Sequence, residues 1–410
     1  MVRCSKIPYI IILQTLVLAL YIDIRSVNWA LTKILSLGEG IMSLLYIATI
    51  SVLIIFMMKT LKYTIRSLSK YSIFLVIFLC CFYLITNVFI KTPVVSIQYF
   101  LIFTIASFLI PQLTIIDSSL LLKAIMLYPA FSILKINDVF SSYVTWSLKL
   151  PMDVSYGFQV PIIATITYLF MYYKTEHGIQ KLVTILTSVI NFIFLGYILL
   201  FGSRGPIIGI LLLICMLWCV QFKNNGLLQF NVSRFNKILM LTIICGVFFI
   251  GFITAISNFL GNYGIEVDAI QKMIYLNETN GDLSNGRNNL TELAWNGFVS
   301  RPIWGHGLDQ FDNNYPESSY PHNFVLQILY DGGLILLIIL LPILIIGLKR
   351  FKSYSYDQFA IFCTFFCASV PGALFSQNLW NMPLLWMCFG FIISKTFIYN
   401  KPIINTISRV

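Results

Sequence analysis

Residues 323–348 read NFVLQILYDGGLILLIILLPILIIGL, and this stretch decides the class of the fold. A helix needs roughly 20 mainly apolar residues to cross a bilayer core. This run is longer, carries Asp331 as its single acid, and meets no base before Lys349-Arg350. An acid at that depth is costly unless paired or solvated, and Gly332-Gly333 directly after it is where such a helix can distort. Working outward, comparable runs occupy 7–22, 41–58, 71–90, 95–113, 119–135, 158–173, 182–201, 206–222, 238–259, 358–376 and 382–397. The reading is an all-α polytopic membrane protein of about 12 transmembrane helices.

Composition agrees. The 410 residues are 58% hydrophobic and only 10% charged, against about 25% charged in an ordinary soluble domain. The net charge of +11 does not indicate nucleic acid, because the bases sit in short loops between apolar runs, as membrane insertion demands. With the N-terminus cytoplasmic and every run crossing once, the clusters Lys59–Lys70 and Lys349–Lys352 share the cytoplasmic side. Outside lie residues 136–157 and a long polar loop, 260–322. The chain thus divides into helices 1–9 (1–259), the loop with short helices (260–322), and helices 10–12 (323–410). The first run lacks a small-residue cleavage site and reads as a retained span. Eight of the nine cysteines lie in apolar runs and read as buried thiols, Cys215/Cys219 and Cys363/Cys367 included.

Three features on the outer side carry chemistry. The first is Gly202-Ser203-Arg204-Gly205-Pro206, wedged between two apolar runs. An arginine there either snorkels to the interface or pairs with an anion, and its planar fork grips phosphate oxygens in two places. The second begins at Arg287, which opens RNNLTELAWNGFV (287–299), a short amphipathic helix by its spacing. Arg301-Pro302-Ile303-Trp304-Gly305-His306-Gly307 follows it. The third is Tyr320-Pro321-His322-Asn323 at the mouth of the tenth run. The imidazole of His322 can accept a proton near neutral pH, and the helix N-terminus beside it favours a phosphate. The plainer alternatives are an interface anchor for Arg204, solvated loop cations for Arg287 and Arg301, a capping role for His322 and a loop role for His306. Trp295 and Tyr320 suit sugar stacking. Asp331 falls nine residues after His322, on the opposite helix face, and reads as structural. No Walker loop, Rossmann glycine pattern, HExxH or Asp-rich metal signature is present in the sequence.

Taken in order, these features resemble the O-antigen ligase and O-antigen polymerase superfamily of bacterial envelope enzymes. The matching elements are glycine-flanked Arg204, Arg287 in a large outer loop, Pro302…Gly305-His306-Gly307…Phe311, and Pro321-His322-Asn323 leading into a helix with Gly333. They cover about 202–336; the N-terminal half matches in hydropathy alone. The resemblance implies an inner-membrane protein with its site on the periplasmic face. It implies a metal-independent, inverting glycosyltransferase without cofactor, whose donor is a glycan on undecaprenyl diphosphate. Arg204 and Arg287 would bind the diphosphate and His322 would take the acceptor proton, with Arg301, Asn323, Tyr320, Trp295 and His306 lining the substrate site. The implied partners are the lipid-linked oligosaccharide, the bilayer and a chain-length regulator, with no nucleic acid.

Polymerase and ligase differ in acceptor, a second lipid-linked repeat unit or lipid A-core. The His-Asn…Gly…(Gly, Thr or Tyr) pattern of ligases is met by His322, Asn323 and Gly333 but not by Leu336, which tilts the reading to polymerase. A lipid-linked oligosaccharide transporter is the alternative of another class; such proteins usually show internal repeats, and none is seen here. A purely structural or receptor role is a third.

Overall fold

The computed structural model describes residues 7–22, 41–64, 68–90, 100–127, 152–201, 204–222, 228–231, 233–234, 236–237, 255, 287–315 and 320–394. Among these, three helices are long and apolar enough to cross a membrane, Gly178–Leu199, Phe324–Phe351 and Tyr356–Phe375. Eight shorter apolar helices accompany them, and each of the eleven falls on one of the twelve runs. The remaining run, 238–259, lies outside the described residues but for position 255, as do 128–151 and 260–286.

In chain order come α1 (Ile7–Ile22), α2 (Ile41–Thr64), α3 (Lys70–Ile90) and a π-helical stretch, Phe100–Ala106, that continues into α4 (Ser107–Leu113). Then follow α5 (Ser118–Leu127), α6 (Met152–Met171), α7 (Gly178–Phe201) and α8 (Arg204–Cys219). After them stand α9 (Arg287–Ser300), α10 (Phe311–Asn314), α11 (Phe324–Phe351), α12 (Tyr356–Phe375) and α13 (Pro383–Ile393). The all-α expectation needs one addition. The run 206–222 is helical only to Cys219, and β1 (Val220–Phe222) pairs antiparallel with β2 (Leu228–Phe230), Val220 opposite Phe230. Valine and phenylalanine suit an extended edge once the helix has ended.

Helix ends follow local chemistry. Asn323 caps α11 by accepting from the Val325 and Leu326 amides, and Ser355 with Gln358 forms a capping box on α12. The π-helical stretch leaves the Ile102 carbonyl to side chains, and it accepts from Tyr21 Oη at 2.8 Å and Ser107 Oγ at 3.1 Å. α13 packs tightly on α4, because Gly390 leaves no side chain between itself and the Phe108 carbonyl. Trp380 and Trp386, both fully buried, stack at 5.8 Å in the core.

Loops assigned to the same side by charge meet in space. Toward one end, Asp357 accepts from Ser118 Oγ at 2.9 Å and Tyr172 Oη at 2.5 Å, and Lys123 pairs with buried Glu176. At the other, Tyr320 Oη donates to the Ser376 carbonyl at 2.6 Å and Gln327 donates to Asn378 at 2.9 Å.

The helix that decided the fold is discontinuous. Gly333 sits at φ 59° and ψ −155°, splitting α11. The backbone groups freed there are met by the turn after α9. The His306 and Gly307 amides donate to the Tyr330 and Asp331 carbonyls, each at 2.8 Å. Conversely, the Leu334 and Ile335 amides donate to the carbonyls of Pro302 (2.8 Å) and Ile303 (3.3 Å). Non-helical backbone at membrane depth persists only where such partners exist. A Cβ on Gly333 would lie 2.5 Å from the Ile303 oxygen, and one on Gly305, at φ 68°, 2.5 Å from the Asp331 oxygen. Two glycines therefore make this exchange possible.

Candidate functional site

The site forms where α9 begins and α11 begins. His322 precedes the Asn323 cap with φ 56°, a left-handed backbone that a non-glycine residue adopts at a cost. The cap below and Pro321 above hold it there. Its ring lies 4.3 Å from that of Tyr320, and Tyr320 is tied through its hydroxyl to the end of α12. His322 is half-buried, and its Nδ1 is buried with no hydrogen-bond partner among the described residues. Burial, and then the positive charge of Arg287, hold the imidazole below the usual histidine range. A base kept neutral beside a guanidinium is suited to accepting a proton next to a bound anion.

Arg287 opens α9 and is half-buried. Leu290, Leu293 and Ala294 of α9 share one cluster with Leu326 and Tyr330 of α11 and with Phe311 and Tyr315 of α10 and its end. Gly297 leaves room for the Tyr330 ring. That packing sets Arg287 where its charge acts on His322.

For Arg204 the structure describes the backbone, the first residue of α8. The next residue, Gly205, lies against the Tyr156 hydroxyl, and Tyr156 lies against Gly372 of α12, beside Gln377. Four residues after Gly372 comes Ser376, which accepts from Tyr320. The start of α8 thus belongs to the same end of the molecule as His322.

The other sequence candidates divide. Asn323 uses its side-chain oxygen as a helix cap, 2.9 Å from the Val325 nitrogen. Arg301 lies at the far end of α9, about 21 Å along the helix from Arg287. His306 stacks on Tyr330 at 4.5 Å, and its Nε2 lies 2.9 Å from the Gly297 carbonyl, so its ring is engaged in closing α9. Trp295 is exposed, paired with Phe298.

Sequence reasoning missed a buried polar cluster behind the site. Asp309, at φ 57°, accepts from Asn378 at 2.6 Å, and Asp331 accepts from Trp380 Nε1 at 2.6 Å. Burial pushes the Asp309 carboxyl up to about 7, against the pull of the Asn378 bond. The signal available was Asp331 itself, an acid within an apolar run that had to find partners. The cluster ties α11 to the α12–α13 connection, whose Ser376 holds Tyr320.

Residues 189–341 match the family model described as O-antigen ligase. No curated protein and no solved structure matches the chain. The matched segment holds α8, α9, both halves of the broken helix as far as residue 341, and His322 with Arg287. Over this segment the chain is similar to the O-antigen ligase family, which supports the resemblance to O-antigen ligases and polymerases.

Proposed function

We propose that the protein transfers glycan from an undecaprenyl-diphosphate-linked donor at the periplasmic face of the bacterial inner membrane, and that its reaction is polymerisation of O-antigen repeat units. The observation that carries the reading is that Arg287 lies near enough to His322 for its positive charge to act on the imidazole. A half-buried base held below the usual histidine range, with a guanidinium charge acting on it, sits at a helix mouth where phosphate is also favoured. The acceptor hydroxyl loses its proton to the His322 ring as its oxygen bonds to the anomeric carbon. The carbon–oxygen bond to the diphosphate breaks and the diphosphate leaves with the electron pair, inverting the centre. Arg287, joined by Arg204, stabilises the charge that develops on the leaving group. A good leaving group held by two guanidinium groups needs neither metal nor nucleotide. Tyr320 forms a wall of the acceptor site, and a chain-length regulator would act on the same growing polymer.

The tilt to polymerase rests on Leu336, which departs from the ligase pattern and is fully buried against Gly332. Ligation to lipid A-core is the second reading, favoured by His322-Asn323 and Gly333 and by the name of the matched family. In a membrane assay with lipid-linked repeat units, His322→Ala is expected to lose about 10²–10⁴-fold in rate. Arg287→Ala is expected to lose about 10²–10³-fold. Normal activity in either variant removes the assignment. Lipopolysaccharide profiles of a deletion strain separate the readings: a single repeat unit on the core marks polymerase, and rough lipopolysaccharide with accumulated lipid-linked polymer marks ligase.

A further inference from the structure

The partner contacts fix the direction of α9. Arg287 is felt at His322, Leu290, Leu293 and Leu326 pack against one cluster of Ala294, Phe311 and Tyr330, Gly297 faces Tyr330, and the Ile303 carbonyl meets the Ile335 amide. α9 therefore runs alongside the first half of α11 in the same direction, toward the interior of the span. Its outer face changes character on the way. Asn288, Asn289, Thr291 and Glu292 are exposed at the start, and Trp295 and Val299 at the end, with Asn296 and Ser300 beside them. Ile303 and Trp304 follow in the turn, 56% and 66% exposed.

Depth can be read from α11. It has 28 residues with Lys349 and Arg350 in its last turn. An apolar core of about 30 Å takes roughly 20 residues, so counting back from residue 348 reaches Leu329. Leu334 and Ile335, which bond to the Pro302–Ile303 turn, then lie about 8 Å inside the hydrocarbon boundary. From Leu334 downward, Leu334, Ile338, Leu341 and Ile345 are exposed on the same helix, as lipid-facing residues are. The apolar patch on α9 and its turn continues that surface. Arg301, at the same turn, has a long enough stem to snorkel to the headgroups.

We infer that α9 is a re-entrant helix whose turn is seated in the leaflet at the His322 end, with Ile303 and Trp304 among acyl chains and Trp295 and Val299 nearer the headgroups. The inference stands whether or not glycan transfer occurs at His322. It accounts for two observations together: bulky apolar side chains exposed at a loop, and irregular backbone whose Pro302 and Ile303 carbonyls and His306 and Gly307 amides bond to the broken helix.

The test is tryptophan quenching of the full-length protein in phosphatidylcholine vesicles, with the lipid either ordinary or brominated on its acyl chains. The difference between wild type and Trp304→Phe reports Trp304 alone against the other six tryptophans, and Trp295→Phe reports Trp295 independently. The Trp304 signal is expected to fall at least two-fold in brominated lipid, to resist aqueous iodide, and to be quenched by deep bromines more than Trp295 is. Quenching of Trp304 by iodide would show that the turn faces water. Resistance to both quenchers would show another protein surface covering it. Either result overturns the inference, as does a reversed depth order. Should Trp304→Phe fail to fold, a Trp295 signal indifferent to brominated lipid overturns it by itself.

Discussion

At the scale of single residues, His322 joins a left-handed backbone, a half-buried ring and a neighbouring guanidinium. Burial first, and Arg287 second, lower the pH at which the ring becomes charged. The neutral form is the one able to take a proton, so activity is expected to persist as pH falls below the usual histidine value of about 6.5. Arg287→Gln removes the second cause, and its residual activity is expected to fail at a higher pH than wild type does. An unmoved acidic limb would mean that the imidazole is not the titrating group. The neighbourhood of Arg287 and His322 was legible only through family resemblance, because the two are far apart in sequence. Nothing in the spacing of either segment says which residue of α9 lies opposite the mouth of α11. Asp309 was not legible at all; its left-handed φ and its bond to Asn378 arise from how three segments meet.

At the scale of elements, the break in α11 and the 301–307 turn form one unit. Gly333→Ala must place a side chain at φ 59° and against two carbonyl oxygens. With ψ at −155° that backbone is essentially reserved for glycine, costs about 1–3 kcal/mol for another residue, and the collision adds to it. The expected result is a lower thermal midpoint in detergent, together with faster proteolysis around 301–307. A local effect distinguishes this from a general loss of packing, in which cleavage would rise everywhere. Apolar length made the spans readable, and Gly332-Gly333 marked where α11 could deform. The partner of the break was not readable, since backbone hydrogen bonds need no particular side chain and leave only glycines as a trace. The π-helical stretch at Phe100–Ala106 left still less, a serine and a distant tyrosine whose hydroxyls donate to one carbonyl.

At the scale of the molecule, exposed apolar helix faces, two polar ends and an apolar core that encloses a few polar groups define the architecture. Hydropathy and basic clusters placed the runs because those quantities answer to the bilayer. They could not reveal that Lys123 finds Glu176 and lies over the Tyr168 ring at 5.4 Å. The proposed sidedness predicts a labelling pattern. A cysteine at Glu292, exposed on α9, is expected to react with an impermeant maleimide added to cells whose outer membrane alone is opened. A cysteine at Lys181, exposed at the start of α7, is expected to react only after the inner membrane is opened too. The reverse pattern would invert the topology and move His322 away from periplasmic substrates.

The exchange of hydrogen bonds between the turn and the broken helix also orders events during synthesis. Residues 301–307 leave the ribosome before the segment that satisfies them. Until Tyr330 to Ile335 arrive, the turn has no partners that would let its backbone leave water. Leu334–Phe351 forms an unbroken apolar helix that the insertion machinery can take up by itself. The order that follows is translocation of the turn, insertion of the lower half of α11, and only then the settling of α9 beside it, so that His322 and Arg287 meet as one of the last steps of biogenesis.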